Sequence, residues 1–214
     1  DVHGSRGLGD VYKRQRSPML SFANTDMAFK DNILIAGSYH GFNIYELDED
    51  GIPNLISSVV CPGGQGDVSI VGDLLIMSVE ENRSRLDCGL EGINSDSSPE
   101  RFRGIRIFDV SNLSKPKQVG AVQTCRGSHT HSVVSTTKDN KIIVYNSGTG
   151  RVRDNEEKAE CFGWDGGGSS YFSIDVIEIP IDNPSDSRIV KSPRVFMDLE
   201  TGNVAGCLLY TSPS

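Results

Sequence analysis

The chain has 214 residues, with 21 Lys and Arg against 29 Asp and Glu, a formal net charge of −8 and a hydrophobic fraction of 36%. An acidic surface without Lys/Arg clusters argues against nucleic acid or an anionic membrane as partner, and no apolar run approaches the roughly 18 residues of a transmembrane helix. Frequent Gly, Ser, Asn and Asp, with Val and Ile in short alternating runs and no helical period beyond two turns, point to an all-β fold with many turns.

The two ends call for separate treatment. The stretches DVYKRQ (10–15) and CLLYTS (207–212) can be encoded by DNA strings that are reverse complements over most of their length. They resemble the inverted ends of a sequencing adapter. Residues 1–15 and 207–214 are therefore expected to be non-native tails, with 16–206 the natural part, an open fragment.

Taken in order, residues 19–22 read as the closing strand of a preceding unit. The first complete unit runs over 26–60: a strand from Asp26, the apolar run ILIAG (33–37), the alternating GFNIYEL (41–47), a turn through Pro53, and a fourth strand to Val60. The second, 67–124, repeats it with Asp67, LLIM (74–77), GIRIFDV (104–110), Pro116 and a strand to Thr124. The third, 131–196, starts at His131 and continues through KIIVY (141–145), SIDVIEI (173–179) and a strand ending near Phe196. Three four-stranded units from one pattern, of about 40 residues apart from long insertions, suit the blades of a propeller.

GFNIYEL, GIRIFDV with the following SNLSKPKQVG, and the ILIAG and LLIMS strands resemble the LVIVD-repeat family of bacterial β-propellers. The resemblance covers residues 26–198. It implies a propeller, typically extracytoplasmic (periplasmic, secreted or on the cell surface), without a settled activity. Closure needs at least four blades, so about three blades imply a propeller fragment.

Within such a frame the first strand of each blade lines a central channel. Aligning the repeats puts Asp26, Asp67 and His131 at one equivalent position near the channel mouth, with His129 two residues upstream. Residues i and i+2 of an extended strand share a side, so both rings are expected on one side. These are ligand types for a divalent transition metal. The plainer reading of the aspartates is capping of backbone N–H groups, and of the histidines, hydrogen-bonded loop residues.

Cys61 lies six residues before Asp67 and Cys125 six before His131, whereas Cys88 and Cys161 sit in the long loops of the following units. That matching selects disulfides Cys61–Cys88 and Cys125–Cys161, and with them an oxidising compartment. Free buried thiols or a thiolate metal site are the rival readings, although no CxxC spacing supports a metal. The long loops, 80–103 and 149–169, are the expected seat of specificity. Candidate ligand contacts are Arg126, which shares a loop with Cys125 and His129, and Trp164, beside a run of three glycines. Arg83, Arg85, Arg101 and Arg103 are suited to a carboxylate partner or to solvation.

The expected function is an extracytoplasmic scaffold binding a protein or small-molecule ligand through its loop-rich face. The alternative is a metal-dependent hydrolase or oxidoreductase using His129, His131, Asp26 and Asp67.

Overall fold

The alternating runs form strands in the structure, a computed structural model that describes residues 23–136, 139–163, 170–195, 197–198 and 200–201. Trp164, the tails at 1–15 and 207–214 and the strand expected at 19–22 lie outside the described residues. The first unit is β1 (Asn24–Lys30), β2 (Ile33–Ser38), β3 (Gly41–Leu47) and β4 (Pro53–Val60). The second is β5 (Val68–Val71), β6 (Leu74–Val79), β7 (Gly104–Asp109) and β8 (Lys117–Gln123). The third is β9 (Thr130–Thr136), β10 (Lys141–Ser147), β11 (Asp175–Pro180) and β12 (Arg188–Lys191), with one 3₁₀ turn at Pro184–Asp186 before β12. Each unit is a four-stranded antiparallel sheet whose strands pair in chain order. The fold is all-β. Among the described residues, no helix is long and apolar enough to cross a membrane, which says nothing of β-barrel spans.

Period-2 alternation decides how the sheets stack. Ala28, Ile35, Phe42 and Ile44 of the first sheet pack against Val68, Leu75, Met77 and Phe108 of the second, with Phe42 and Phe108 edge to face at 5.0 Å between centroids. The alternate residues of the second sheet, among them Leu74, Ile76, Ile105 and Ile107, meet Ile142, Val144, Ile177 and Ile179 of the third. The middle sheet is thus apolar on both faces, which is why every residue of β6 is buried. Stripping a fully buried Ile or Leu from water contributes about 1.5–3 kcal/mol, so these two interfaces dominate the stabilisation. β1 lies beside β5, and β5 beside β9, so the first strands of the three sheets are neighbours.

The tight hairpins opening each sheet turn on a left-handed residue, Asp31, Gly72 or Asn140, the residue types that tolerate this backbone region. The glycines that begin GFNIYEL and GIRIFDV have a second cause. Gly41 and Gly104 adopt φ +139° and +145°, and a Cβ there would lie 2.0 Å from the carbonyl oxygen of Val59 or Val122 on the next strand. A side chain at this position collides with backbone that is itself locked in a ladder. Gly104→Ala is therefore expected to destabilise the fold by roughly 2 kcal/mol or more, combining backbone strain with displacement of β8. Urea unfolding of the variant beside Gly51→Ala, where a Cβ meets nothing within 4 Å, separates the collision from the loss of a glycine.

Candidate functional site

The ends of the first strands and the two long loops lie on one side of the sheets. β1 and β5 enter through residues whose carboxylates face the next sheet along. Asp26 Oδ2 accepts the N–H of Val68 at 3.1 Å, and Asp67 Oδ2 accepts the N–H of His131 at 2.8 Å. The relation repeats from sheet to sheet, and it identifies His131 with Val68, not with Asp67. Ladder registers agree: Met27 pairs with Ala36, Val68 with Met77, and His131 with Asn146. The residue equivalent to Asp26 and Asp67 is accordingly Thr130.

This corrects the alignment by one residue, for a simple reason. The linker from the last strand is constant when counted from Val60 and from Gln123, which occupy matching places opposite Gly41 and Gly104. The cysteines are not constant, since Cys61 directly follows Val60 while Thr124 intervenes before Cys125. Aligning on cysteine shifted the third unit. The pairing itself is as expected: Cys61 is bonded to Cys88 and Cys125 to Cys161, with Cα–Cα distances of 4.5 and 5.3 Å.

Asp26, Asp67 and Thr130 thus form one column across three sheets. Thr130 Oγ1 donates to Asp67 Oδ2 at 3.0 Å, and Asp26 stands close enough to Asp67 to hydrogen-bond it. A neighbouring carboxylate in such contact disfavours ionisation of Asp67. Burial raises the Asp67 carboxyl most, Asp26 raises it further, and the His131 N–H and Thr130 hydroxyl oppose them. The column lines a cleft of about 240 Å³ together with Thr25, Gln65 and His129.

The two histidines part company. His129 Nδ1 lies 2.7 Å from Glu80 Oε1, and its Nε2 lies 3.3 Å from Gln65 Nε2 at the cleft. His131 has a fully buried side chain, with Nδ1 2.8 Å from Ser78 Oγ and 3.3 Å from Asp67 Oδ2. Its Nε2 is buried without a partner. Burial depresses its pKa from 6.5 to about 4, against an opposing pull from Asp26. The expectation that both rings address one metal is not met: among the described residues, no three His, Cys, Asp or Glu side chains are grouped to hold a metal ion. His129 precedes β9 and stays outside, whereas His131 belongs to the strand and turns inward. The capping role weighed for the two aspartates is the one their geometry displays.

The long loops are built from arginines. Arg106, on β7, is wholly buried; it donates to Leu86 O and Gln118 Oε1 at 3.3 and 2.9 Å and lies 4.1 Å over the Phe102 ring, holding the 80–103 loop down. Arg126 was an expected ligand contact. Its Nε and Nη2 donate to Gly150 O and Thr149 O at 3.1 Å, and it stacks on Tyr171 at 4.7 Å, so it braces the second loop. Arg85 pairs with Asp87, Glu91 and Glu100 at the surface. Glu157 joins the loops: its carboxylate, 1% exposed, accepts from Arg101, from Arg153 at 2.5 Å and from the Ser98 N–H at 3.0 Å. Gln65, Glu80, Thr130, Arg153 and Glu157 were not singled out from the sequence. Only the Arg153–Glu157 spacing of four carried a local signal, and it is an ordinary one.

Two pH dependences follow. Below pH 6.5 the unfolded chain takes up a proton that buried His131 refuses until about pH 4, so stability falls as pH drops through that window, by up to about 3 kcal/mol. His131→Gln should abolish this slope, read as the wild-type minus variant difference in urea midpoint against pH. Asp67 acts oppositely. With its folded pKa above 3.8, the native state holds the extra proton, and stability declines as pH rises above about 4. Asp26→Asn keeps the acceptor for Val68 and supplies a donor to Asp67; it should make that decline shallower and raise stability at pH 7, measured by the same titration.

Compared with known proteins, the chain matches no family model and no curated relative.

Proposed function

We propose that this chain is a β-propeller segment of LVIVD-repeat type, acting outside the cytoplasm as a ligand-binding scaffold through its loop-rich face. The observation carrying the binding reading is the joining of two long, disulfide-anchored loops over a cavity of about 460 Å³. A scaffold whose cores are sheets and whose variable elements are cross-braced loops presents a preorganised surface, which lowers the ordering cost of binding. A cavity of this size lies in the range of small-molecule sites.

The propeller reading is supported by chain-order meanders stacked face to face with their first strands adjacent. The two outer faces support it as well. The first sheet leaves Phe29 and Leu55 exposed and the third leaves Val134, Tyr145 and Val190 exposed, as blades awaiting apolar neighbours would. Two disulfides favour an oxidising compartment.

Asp154, exposed on the rim of the cavity and of the adjoining one beneath Phe162, offers the test. A ligand panel of sugars, amines, nucleosides and carboxylates is screened by thermal shift, and each hit is repeated on Asp154→Trp and on Ser111→Trp, which crowds a cavity at the turn end. Hits are expected to weaken about tenfold in Asp154→Trp and to persist in Ser111→Trp. Hits that survive Asp154→Trp unchanged, or are lost only in Ser111→Trp, would place binding elsewhere and sink the reading.

A further inference from the structure

The cavity between the loops is cationic in an otherwise acidic protein. Arg83, Arg101, Arg103, Arg151 and Arg153 line it, against two lining carboxylates, Asp96 and Asp154. Glu157 is already committed, held between Arg101 and Arg153. Arg101 also spends its donors on the carbonyls of Asn82 and Asp96. Arg153 spends its own on Gln123 Oε1 and Arg101 O. These two arginines are structural.

Arg103 differs. It is 2% exposed, yet its hydrogen bonds go only to neutral acceptors, Asn82 Oδ1 at 2.8 Å and Arg151 O at 2.9 Å. Its Nε is buried with no partner, and so is Nε of Arg83 on the same lining. A buried guanidinium with no carboxylate in hydrogen-bonding contact is costly, because the attraction of the more distant Glu157 and Glu80 offsets its desolvation only in part. Burial, reinforced by repulsion from Arg153 and Arg101, pushes Arg103 down to about 10, still charged at neutral pH. Arg101, Arg103 and Arg153 repel one another around Glu157, with Glu80 as a further attraction on Arg103, and an added anion stabilises the set.

We infer that this cavity is an oxyanion site, with Arg103 at its floor and Arg83 and Arg151 at its rim, taking the carboxylate or phosphate group of a small ligand. The inference rests on the reading of this face as the binding face and specifies its ligand class. Donors already fixed by Asn82 and the Arg151 carbonyl need little reorganisation to meet an anion, and charge-assisted hydrogen bonds in a desolvated site are strong. Exposed Arg151 supplies long-range attraction that salt screens, whereas contacts to buried Arg103 resist screening. Gly150 brings the loop backbone close to the guanidinium: a Cβ there would lie 2.8 Å from Arg103 Nη1 and 2.9 Å from the Arg126 carbonyl oxygen.

The test is calorimetric titration of the full chain with inorganic phosphate and, separately, with citrate, at ionic strength held constant with chloride. Saturable binding of one or both is expected; the phosphate and citrate arms decide which oxyanion is preferred. Arg103→Gln should weaken it about tenfold or more, the scale of losing a charge-assisted contact, and so should the rim double variant Arg83→Gln/Arg151→Gln, which carries the test if Arg103→Gln does not fold. Arg188→Gln, at a surface pair with Glu178, should leave binding unchanged. No saturable binding of either anion, or affinity equal in wild type and both cavity variants, overturns the inference. If an uncharged ligand still binds in an Asp154→Trp-sensitive manner while both anions fail, the scaffold reading stands and only the oxyanion site falls.

Discussion

One buried carboxylate holds the loop face together. Glu157 sits between Arg101 of the first long loop and Arg153 of the second and takes the Ser98 N–H besides. With side chains 1% to 7% exposed, none of the three charges is solvated, so each depends on the others. Losing one partner of such a set is far more damaging than the set is stabilising, because an uncompensated charge remains in the interior. Among the described residues, neither loop contributes to the two apolar clusters between the sheets. Their positions derive from this ionic link, from two disulfides, and from Arg106 and Arg126 reaching out of the sheet region to bind loop carbonyls.

Beneath the loops, the sheets set the distances over which such links can form. Apolar alternation on both faces of the middle sheet fixes its separation from each neighbour, and the column of Asp26, Asp67 and Thr130 ties successive first strands through side chain to backbone bonds. Thr130 has a physical logic at the third place. Asp26 already disfavours ionisation of Asp67, and a third carboxylate would add to that conflict, whereas a hydroxyl donates to Asp67 without charge. The column reads as architecture first. Its cleft remains polar and open to a small ligand, but its acceptors are largely engaged.

The two polar regions of this face are of opposite sign, an acidic cleft at the strand ends and a cationic cavity under the loops. Glu80 lies between them, paired with His129 and Thr149 on one side and attracting Arg103 on the other. The chain as a whole carries a net charge of −8, so the arginine-lined cavity is a local departure from the sign of the molecule.

The sequence by itself determined the strands, their grouping in fours and the pairing of the cysteines. All three are written in local period and spacing: GFNIYEL and GIRIFDV alternate, glycines stand where strands crowd, and the insertions hold one cysteine each. It also singled out Asp26 and Asp67. What it left undecided was the one-residue register of the third unit, where Cys125 misled and Thr130, an unremarkable residue, holds the equivalent place. Only the tertiary structure decided which way His131 turns, that Arg126 braces a loop, and that the hydrogen bonds of Arg103 go to neutral acceptors among the described residues. Those properties belong to residues 21 to 64 positions apart that loops bring together. No local pattern encodes them, because burial and charge pairing arise from the assembled surroundings of a side chain and not from its neighbours in the chain.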